Sequence, residues 1–378
     1  MSALAQDPAD ARSAAWQQAR RVLAIRLDNI GDVLMTTPAL AALAADPSRQ
    51  VTLLASRAGA ALAGHLPCVS DVMVYDCPWT GGLHGDPQAD QRLLRQLVER
   101  RFDAAVIFTV CTQSALPAAL MCRMADIGLR LAHSRENPYA LLTDWVRDTD
   151  VVCTPMRHEV QRQLDLVARV GFHASDDRLV FECRPAERDT ARRKLALAGA
   201  DPGRPWVVIH PGSSAASRRY PPERFGLAAA GIAARSDAQI VFTGGPDDVA
   251  ACAQAQQSMG CASVSLAGAL SLGELAALIG DAAVVVCNNS APAHLAAAMG
   301  TPTVVLYALT NPQHTPWRVR TRVLNHDVAC RNCLKSVCPE GHHGCLLGVE
   351  PHEVADAAVA LLGGRLARPL AVRLGRAA

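Results

Sequence analysis

The chain has 378 residues, of which 50% are hydrophobic and only 4% aromatic, with a formal net charge of +2. This length exceeds what one ordinary hydrophobic core holds, so two domains are expected. The small net charge gives no sign of the basic surface that nucleic-acid-binding proteins carry, and no nucleic-acid partner is expected. Uncharged apolar runs of about 18 residues are also missing, so the sequence predicts no membrane-spanning helix.

The first residues, MSALAQDPADARSAAWQQARR, contain Asp7 and Asp10 and lack the apolar segment of a signal peptide. Residues 1–20 are therefore predicted to form a flexible tail or a short helix. Trp16 stands between Arg12 and Arg20, a pattern compatible with contact with a membrane surface. The odd total of 13 cysteines without a secretion signal predicts a reducing, cytoplasmic location.

Short apolar runs alternate with segments of helical spacing and length along most of the chain. Such runs predict strands at 21–27, 51–56, 71–76, 103–109, 205–212, 238–245, 282–289 and 301–308. Alternating strands and helices form parallel sheets covered by helices on both faces. The sequence thus predicts two Rossmann-like domains, at 21–184 and 185–350, followed by a C-terminal helix and tail at 351–378.

Ligands of such sheets bind at the carboxyl ends of the strands. After the first strand, the segment RLDNIGDVLMTTPAL places Asp32 in the first turn of a predicted helix. There Asp32 can simply stabilise the helix through its dipole, or it can accept a proton from a substrate hydroxyl. On this segment alone, the structural role is the simpler explanation.

The loop HPGSSAASRRYPPERF after the strand at 205–212 combines Ser213 and Ser214 with Arg218 and Arg219. Hydroxyls, main-chain N–H groups and a guanidinium suit a diphosphate. In TGGPDD, Gly244 permits close approach of a ligand, and Asp247 or Asp248 is placed to bond a ribose diol. The same segment is equally compatible with an ordinary turn before an acidic helix start.

The segment NNSAPAHLAAAMG ends a buried strand and begins a helix. Its candidate phosphate-binding residues are Asn289, Ser290, Ala291 and His294. Pro292 favours the start of a helix, whose free N–H groups attract an anion without a metal. A phosphate-bearing ligand is therefore predicted at this helix start.

Taken together, these segments resemble glycosyltransferase family 9, the ADP-heptose:lipopolysaccharide heptosyltransferases. The resemblance runs from IRLDNIGDVLMTTPAL through HPGSSAASRRYPPERF and TGGPDD to NNSAPAHLAAAMGTP and the cysteine-rich end. It implies a GT-B fold, in which two Rossmann-like domains face a central cleft. It also implies inverting, metal-independent transfer of heptose from ADP-heptose to a lipopolysaccharide core or related lipid-linked glycan. The family acts as peripheral enzymes on the cytoplasmic face of the inner membrane.

By this resemblance, Asp32 matches the proposed general base, and Ser213 and Ser214 match a phosphate-binding pair. Arg218 stands where the family commonly has a lysine that neutralises the leaving diphosphate, and Arg keeps the charge with different geometry. Further positions match the donor site: Gly244, Asp248 near the ribose-binding acid, Ser290, Ala291 and His294 at the helix start, and Asn289 in place of the usual aspartate.

The segment CRNCLKSVCPEGHHGC gathers Cys330, Cys333, Cys338 and Cys345 within sixteen residues. Four thiolates at this spacing suit structural zinc or an iron–sulfur cluster, and disulfides are the alternative. No cofactor is expected to be required for catalysis. Arg57, Arg123, Arg130 and Arg135 are either surface charges or contacts for an anionic acceptor.

Three other interpretations compete. Another nucleotide sugar or another glycan would keep the reaction class, whereas a non-catalytic sugar-nucleotide sensor would not. A nicotinamide-dependent oxidoreductase would need GxGxxG after the first strand, and LDNIGDVL lacks those glycines. The triplet DTD at 148–150 has the spacing of a metal-binding motif but is rejected, because it precedes an apolar segment instead of following a strand.

Overall fold

A computed structural model describes residues 8–80, 85–152, 156–308 and 312–366. The chain divides into two compact units. Unit 1 comprises the described residues of Met1–Glu182 and Asn311–Trp317, and unit 2 comprises those of Cys183–Thr310 and Arg318–Ala378.

Unit 1 is built on a six-stranded parallel sheet with the order β3-β2-β1-β4-β5-β6. Its strands are β1 (Arg21–Arg26), β2 (Gln50–Ala55), β3 (Asp71–Val74), β4 (Ala104–Ile107), β5 (Leu129–Ser134) and β6 (Asp144–Arg147). Its helices are α1 (Pro8–Gln18), α2 (Ile30–Leu43), α3 (Arg57–Ala60), α4 (Pro87–Arg100), α5 (Leu116–Met124) and α6 (Glu159–Ala168). In this order, β2 and β3 are added on one side of β1, and β4 to β6 are added on the other side. The strand order therefore reverses between β1 and β4, and ligands of doubly wound folds bind at this reversal point.

Unit 2 repeats the arrangement with the order β12-β11-β10-β7-β8-β9. Its strands are β7 (Trp206–His210), β8 (Gln239–Phe242), β9 (Val264–Ser265), β10 (Val284–Asn288), β11 (Thr303–Leu306) and β12 (Thr321–Leu324). Its helices are α7 (Pro185–Leu197), α8 (Pro222–Ala233), α9 (Val249–Met259), α10 (Leu272–Asp281), α11 (Ala291–Met299), α12 (Gly344–Leu347) and α13 (Pro351–Leu366). The reversal falls between β7 and β10, so both units share one strand order.

The central strands are continuous apolar segments because helices cover both faces of each sheet. Val22 to Ile25 in β1 and Val284 to Cys287 in β10 are all buried. Each unit has its own apolar core around these strands. The predicted α/β class with two Rossmann-like domains is confirmed.

Helix α2 illustrates how local sequence chemistry supports the fold. Pro38 lies inside this helix and has no N–H to donate to the carbonyl of Leu34. The Thr37 hydroxyl donates to that carbonyl instead, at 2.7 Å, and accepts a bond from the Val180 N–H at 2.8 Å. Thr37 therefore replaces the helix hydrogen bond that Pro38 cannot make. It also binds the segment around Val180, elsewhere in unit 1, to the helix.

Of the flexible tail and the short helix expected within residues 1–20, the structure shows the helix, because Pro8–Gln18 forms α1. Trp16 is completely buried, and its indole N–H donates to Asp144 Oδ2 at 3.0 Å. Burial and this hydrogen bond exclude a membrane contact of Trp16. In the part of the chain that the structure describes, every helix is too short or too polar to traverse a lipid bilayer.

Candidate active site

A fully buried guanidinium organises the carboxyl end of β1 in unit 1. Arg26 Nε lies 3.0 Å from Asp28 Oδ2, and Arg26 Nη1 lies 3.0 Å from Glu159 Oε1. Its Nη2 lies 3.4 Å from Asp32 Oδ1, so one arginine contacts three carboxylates. Burial opposes the charge of Arg26, but these carboxylates raise its pKa overall. The arginine therefore stays charged and fixes the positions of Asp28 and Asp32.

Asp32 occupies the third position of α2, where the helix dipole favours a negative charge. Its Oδ2 accepts a hydrogen bond from the Asn29 N–H at 3.2 Å, which completes a capping box. The side chain of Asp32 is 21% exposed, in contrast to Glu159, which is fully buried. Of the three carboxylates around Arg26, Asp32 is thus the most accessible to a substrate.

Asp28 is the second carboxylate at this strand end, and the sequence analysis did not select it. Burial raises its pKa from 3.8 to about 6, although Arg26 and the amide of Gln113 lower it and Asp32 and Glu159 raise it. Gln113 Nε2 donates to Asp28 Oδ1 at 2.6 Å. Asp28 therefore titrates closer to neutral pH than an ordinary aspartate.

This shift predicts how stability depends on pH. Because the folded pKa of about 6 exceeds the unfolded value near 3.8, the folded state keeps the proton of Asp28 longer. The stabilisation of the folded state by Asp28 is fully present below about pH 4 and is lost as the pH rises through 6. The free energy of unfolding of wild type, relative to Asp28→Asn, should fall by on the order of 2 kcal/mol between pH 4 and 7. Urea unfolding across this range measures the difference, and a constant difference would contradict the assignment.

In unit 2, the loop after β7 combines a buried hydroxyl with two arginines. Ser213 Oγ is buried and has no hydrogen-bond partner among the described residues, whereas Ser214 is exposed. Arg219 donates to the carbonyls of Ser213 and Ser214, at 2.7 and 3.4 Å, and so fixes the loop. Arg218 ends a short 3₁₀ turn and is half-buried. The two predicted serines are therefore not equivalent, because only the Ser213 hydroxyl is both buried and available for a hydrogen bond to a ligand.

The loop after β7 is attached to the start of α11. Ser290 is the N-cap of α11, and its hydroxyl donates to the Gly212 carbonyl at 3.3 Å. Asn288 Nδ2 donates to the Pro211 carbonyl at 2.6 Å, and Asn288 Oδ1 accepts from the Tyr220 N–H at 3.0 Å. Asn288 is fully buried and holds both ends of the loop, a role that the sequence analysis missed.

The remaining predicted residues of this strand end lie on or beside α11. Asn289 is 3% exposed, and its N–H donates to the Leu306 carbonyl at 2.9 Å. Ala291 is the first residue of α11, and His294 lies in its first turn and is 5% exposed. The helix start therefore presents main-chain N–H groups beside the Ser213 loop, as an anion site requires.

Asp248 packs against the same loop. A Cβ atom at Gly212 would lie 2.2 Å from Asp248 Oδ2, and one at Gly244 would lie 2.5 Å from Asp248 Cβ. Only glycine fits at these two positions without a shift of Asp248. Asp248 Oδ2 also accepts a bond from the Gly245 N–H at 2.9 Å. The structure thus brings together Ser213, Asp248 and Ser290 around Gly212, with one Asp248 oxygen already bonded to its own turn.

The cysteine-rich segment does not form the predicted metal site. Cys330, Cys333, Cys338 and Cys345 are half-buried free thiols, and Cys330 Sγ lies 3.7 Å from His342 Nε2. Burial raises the pKa of Cys345, and the other three cysteines raise it further. Within the described residues, no three potential ligands converge as zinc or iron requires, so the residues do not fit such a group.

The segment has a different structural role. The Ser217 N–H donates to the Ser336 carbonyl at 3.1 Å, and the Ser217 hydroxyl donates to the Lys335 carbonyl at 2.7 Å. These bonds connect the cysteine-rich segment to the turn that carries Arg218. The cysteine-rich segment therefore supports the loop after β7 through two of its main-chain carbonyls.

The reason given for rejecting the DTD triplet at 148–150, that it does not follow a strand, is wrong. Asp148 and Asp150 do follow a strand, β6, but their carboxylates already pair with arginines. Arg162 Nη2 lies 2.8 Å from Asp148 Oδ2, and Arg157 Nη2 lies 2.7 Å from Asp150 Oδ2. Among the other arginines considered, Arg130 is buried and donates to the Leu141 carbonyl at 2.7 Å, so it is not a surface charge.

Each unit has the Rossmann strand order, with a carboxylate cluster at the reversal point of unit 1 and a candidate anion site at that of unit 2. Two such units in one chain form a GT-B fold. The model of glycosyltransferase family 9 (heptosyltransferase) matches residues 91–343, and the chain belongs to this family. The predicted family and enzyme class are thereby confirmed.

The relatives support the same family. The chain is 26% identical over 307 residues to lipopolysaccharide heptosyltransferase 3 of Escherichia coli, covering 76% of this chain and 83% of that protein. It is 24% identical over 359 residues to lipopolysaccharide heptosyltransferase 2 of E. coli K12, covering 90% and 98%. A family 9 glycosyltransferase of Veillonella parvula has a similar fold, with a TM-score of 0.75, 22% identity, and coverage of 91% and 98%.

Proposed function

We propose that this protein transfers heptose from ADP-heptose to a lipopolysaccharide core or related lipid-linked glycan, with inversion and without a catalytic metal. The observation that carries the proposal is the anion site of unit 2. A buried, unbonded Ser213 hydroxyl lies in the described loop next to the α11 start, with Arg218 in the same loop. Hydroxyl, helix N–H groups and guanidinium together suit the diphosphate of a nucleotide sugar.

The carboxylate site of unit 1 supplies the base. The acceptor hydroxyl oxygen attacks the anomeric carbon of the donor, a new carbon–oxygen bond forms, and the bond to the diphosphate oxygen breaks. Asp32 takes the proton of the attacking hydroxyl as its oxygen becomes bonded and acidic. Arg26 keeps the Asp32 carboxylate in place through the 3.4 Å contact with its Oδ1. A single displacement of this kind inverts the anomeric centre.

The anion site of unit 2 accepts the electron pair of the broken bond on the diphosphate. Arg218, the N–H groups at the start of α11 and His294 stabilise this growing charge. A guanidinium and a helix dipole act in place of a divalent cation, so the reaction requires no metal. Asn289 lies beside this site in place of an aspartate, and its neutral amide leaves the local potential more favourable to a diphosphate.

A thermal-shift experiment with nucleotide sugars tests this function. ADP-heptose should raise Tm more than UDP-glucose or GDP-mannose at equal concentration, and EDTA should not change the shift. Arg218→Ala should reduce the shift given by ADP-heptose, because one charge of the site is lost. Arg193→Ala removes an exposed arginine of α7 and is the matched control, with an unchanged shift.

The other outcomes separate the alternatives. A larger shift with a uridine or guanosine donor would replace the heptose assignment by another nucleotide sugar. Binding of ADP-heptose without transfer to any lipopolysaccharide acceptor would instead identify a nucleotide-sugar sensor. A shift that disappears with EDTA would contradict metal-independent binding.

We propose further that unit 1 binds the cytoplasmic face of the membrane that holds the acceptor. Leu120 and Met124 lie one helical turn apart on α5 and are 47% and 59% exposed. Arg123 on the same helix donates to the Ala140 carbonyl, next to Tyr139, which is 83% exposed. Apolar and aromatic side chains around an arginine suit an anionic lipid surface.

Sedimentation with phosphatidylglycerol vesicles tests this surface. The double variant Leu120→Ser with Met124→Ser should lower the bound fraction severalfold. Leu197→Ser in unit 2 removes an even more exposed leucine, at 88% exposure, and should leave binding unchanged. Wild-type protein that fails to sediment with these vesicles would rule the surface out.

A further inference from the structure

A small cavity lies at the reversal point of the unit 1 sheet, beside the carboxylate site. It is about 20 Å³ in volume, enough for one water molecule or one hydroxyl group. The lining residues follow β1 and β4 or lie near these strand ends: Asp28, Trp79, Thr80, Phe108, Thr109 and Gln113 among others. The cavity thus occupies the position where doubly wound sheets bind ligands.

Thr109 gives an independent sign that this cavity receives a ligand. The residue is 7% exposed, and its hydroxyl has no hydrogen-bond partner among the described residues. A buried hydroxyl without a partner costs about 1–3 kcal/mol, so such groups are rare unless water or a ligand satisfies them. The Thr109 carbonyl, by contrast, accepts bonds from Arg162 and Gln163, at 2.7 and 3.0 Å. The carbonyl is therefore satisfied, whereas the hydroxyl is not.

The other lining groups indicate the chemistry of the occupant. Asp28 contributes a carboxylate, whose negative charge disfavours an anion in the cavity. Its Oδ1 already accepts a hydrogen bond from Gln113. Trp79 is half-buried and packs against Tyr75, with ring centroids 5.8 Å apart. An aromatic ring beside carboxylate, amide and hydroxyl groups suits the neutral hydroxyl of a sugar, which both donates and accepts hydrogen bonds.

The position of Asp28 also relates the cavity to Asp32. Both carboxylates contact one guanidinium, with Arg26 Nε 3.0 Å from Asp28 and Nη2 3.4 Å from Asp32. A single guanidinium spans only a few ångströms, which is comparable to the spacing between neighbouring hydroxyls of a sugar ring. One sugar can therefore present one hydroxyl to Asp32 and a neighbouring hydroxyl to the cavity.

We propose that this cavity is a subsite for one hydroxyl of the acceptor sugar, adjacent to the hydroxyl that attacks the donor. The inference rests on the proposed function, because it assumes that unit 1 binds the acceptor. The subsite hydroxyl donates to Asp28 and accepts from Thr109. This arrangement orients the acceptor ring and selects sugars that carry a hydroxyl next to the reacting one.

The variant Thr109→Val tests the subsite because it removes the hydroxyl and preserves the shape and the main-chain bonds. With ADP-heptose as donor and heptose-free truncated lipopolysaccharide as acceptor, the acceptor KM should rise about tenfold, equivalent to one lost hydrogen bond. The thermal-shift response to ADP-heptose should not change. Tm of the variant should equal or exceed that of wild type, since an unsatisfied buried hydroxyl is removed.

Thr37→Val is the matched control in the same unit. The Thr37 hydroxyl is buried but bonded to Leu34 and Val180, so this variant should lose stability without a change in acceptor KM. A lower Tm for Thr109→Val with an unchanged acceptor KM would overturn the proposal and identify a structural water site. If wild type transfers no heptose, titration calorimetry with the deacylated core oligosaccharide still tests the subsite, and equal Kd values for wild type and Thr109→Val would refute it.

Discussion

Replacement of Asp32 by asparagine should lower the rate constant for sugar transfer by about 10³-fold while leaving the Kd for ADP-heptose unchanged. General bases typically contribute 10²–10⁴-fold, and asparagine cannot take the proton of the acceptor hydroxyl. The amide oxygen of asparagine can still accept the hydrogen bond from the Asn29 N–H, now 3.2 Å from Asp32 Oδ2. Helix α2 should thus stay capped, and single-turnover transfer with donor in excess isolates the chemical step.

Asp86→Asn is the matched control for this experiment. Asp86 is the N-cap of α4 in the same unit, and its exposed carboxylate pairs with Arg92. Asparagine is an equally good cap, so the rate constant should remain within about twofold of wild type. Transfer by Asp32→Asn within tenfold of the wild-type rate would exclude Asp32 as the base.

Replacement of Arg26 by methionine should destabilise unit 1 by about 3–5 kcal/mol, the usual cost of leaving buried carboxylates without their partner. The side chain of Arg26 is fully buried and lies 3.0 Å from Glu159, which is also fully buried. Methionine fills a similar volume, so the loss measures charge compensation more than packing. Urea unfolding at pH 7 gives the free-energy difference.

Two comparisons make this result specific. Arg178→Met removes an exposed arginine that pairs with Asp176, and exposed pairs contribute at most about 1 kcal/mol. The double variant Arg26→Met with Glu159→Gln should recover part of the stability lost by Arg26→Met, because one uncompensated charge is gone. The deficit of Arg26→Met should also shrink as the pH falls below about 5, where carboxylates become protonated. A loss below 1 kcal/mol at pH 7 would show that Arg26 is dispensable.

The central strands of both sheets could be predicted from the sequence because they are uninterrupted apolar segments. Strands β5, β6, β9 and β12 could not, whereas the edge strand β3 was predicted at 71–76. In β5, Arg130 and His133 break the apolar pattern, and Arg130 is tolerated because it donates hydrogen bonds to the carbonyls of Leu141 and Ala140. Strands β6 and β12 are partly exposed, and β9 has two residues. Such strands depend on neighbours that the local sequence does not reveal.

Residues of the candidate site could be predicted only where the signal lies within one short segment of the sequence. Asp32 and Ser213 each follow a strand within a recognisable segment. The partner of Arg26, Glu159, is 133 positions away, and only the folded sheet brings them to 3.0 Å. An arginine at the end of an apolar strand was the available signal for this cluster. Asn288 is likewise a polar residue at the end of a buried strand, which could have indicated its structural role. The family pattern, however, pointed to its neighbour Asn289.

The short stretch from Pro312 to Trp317 belongs to unit 1, although the chain before and after it belongs to unit 2. Its Trp317 indole N–H donates to the Asp177 carbonyl at 2.7 Å, and the Trp317 ring lies tilted against that of His158, with centroids 4.4 Å apart. A gene fragment that stops after Glu182 would encode unit 1 without this tryptophan. Neither half can be obtained whole by a single cut, so dissection by truncation requires splicing residues 312–317 back in.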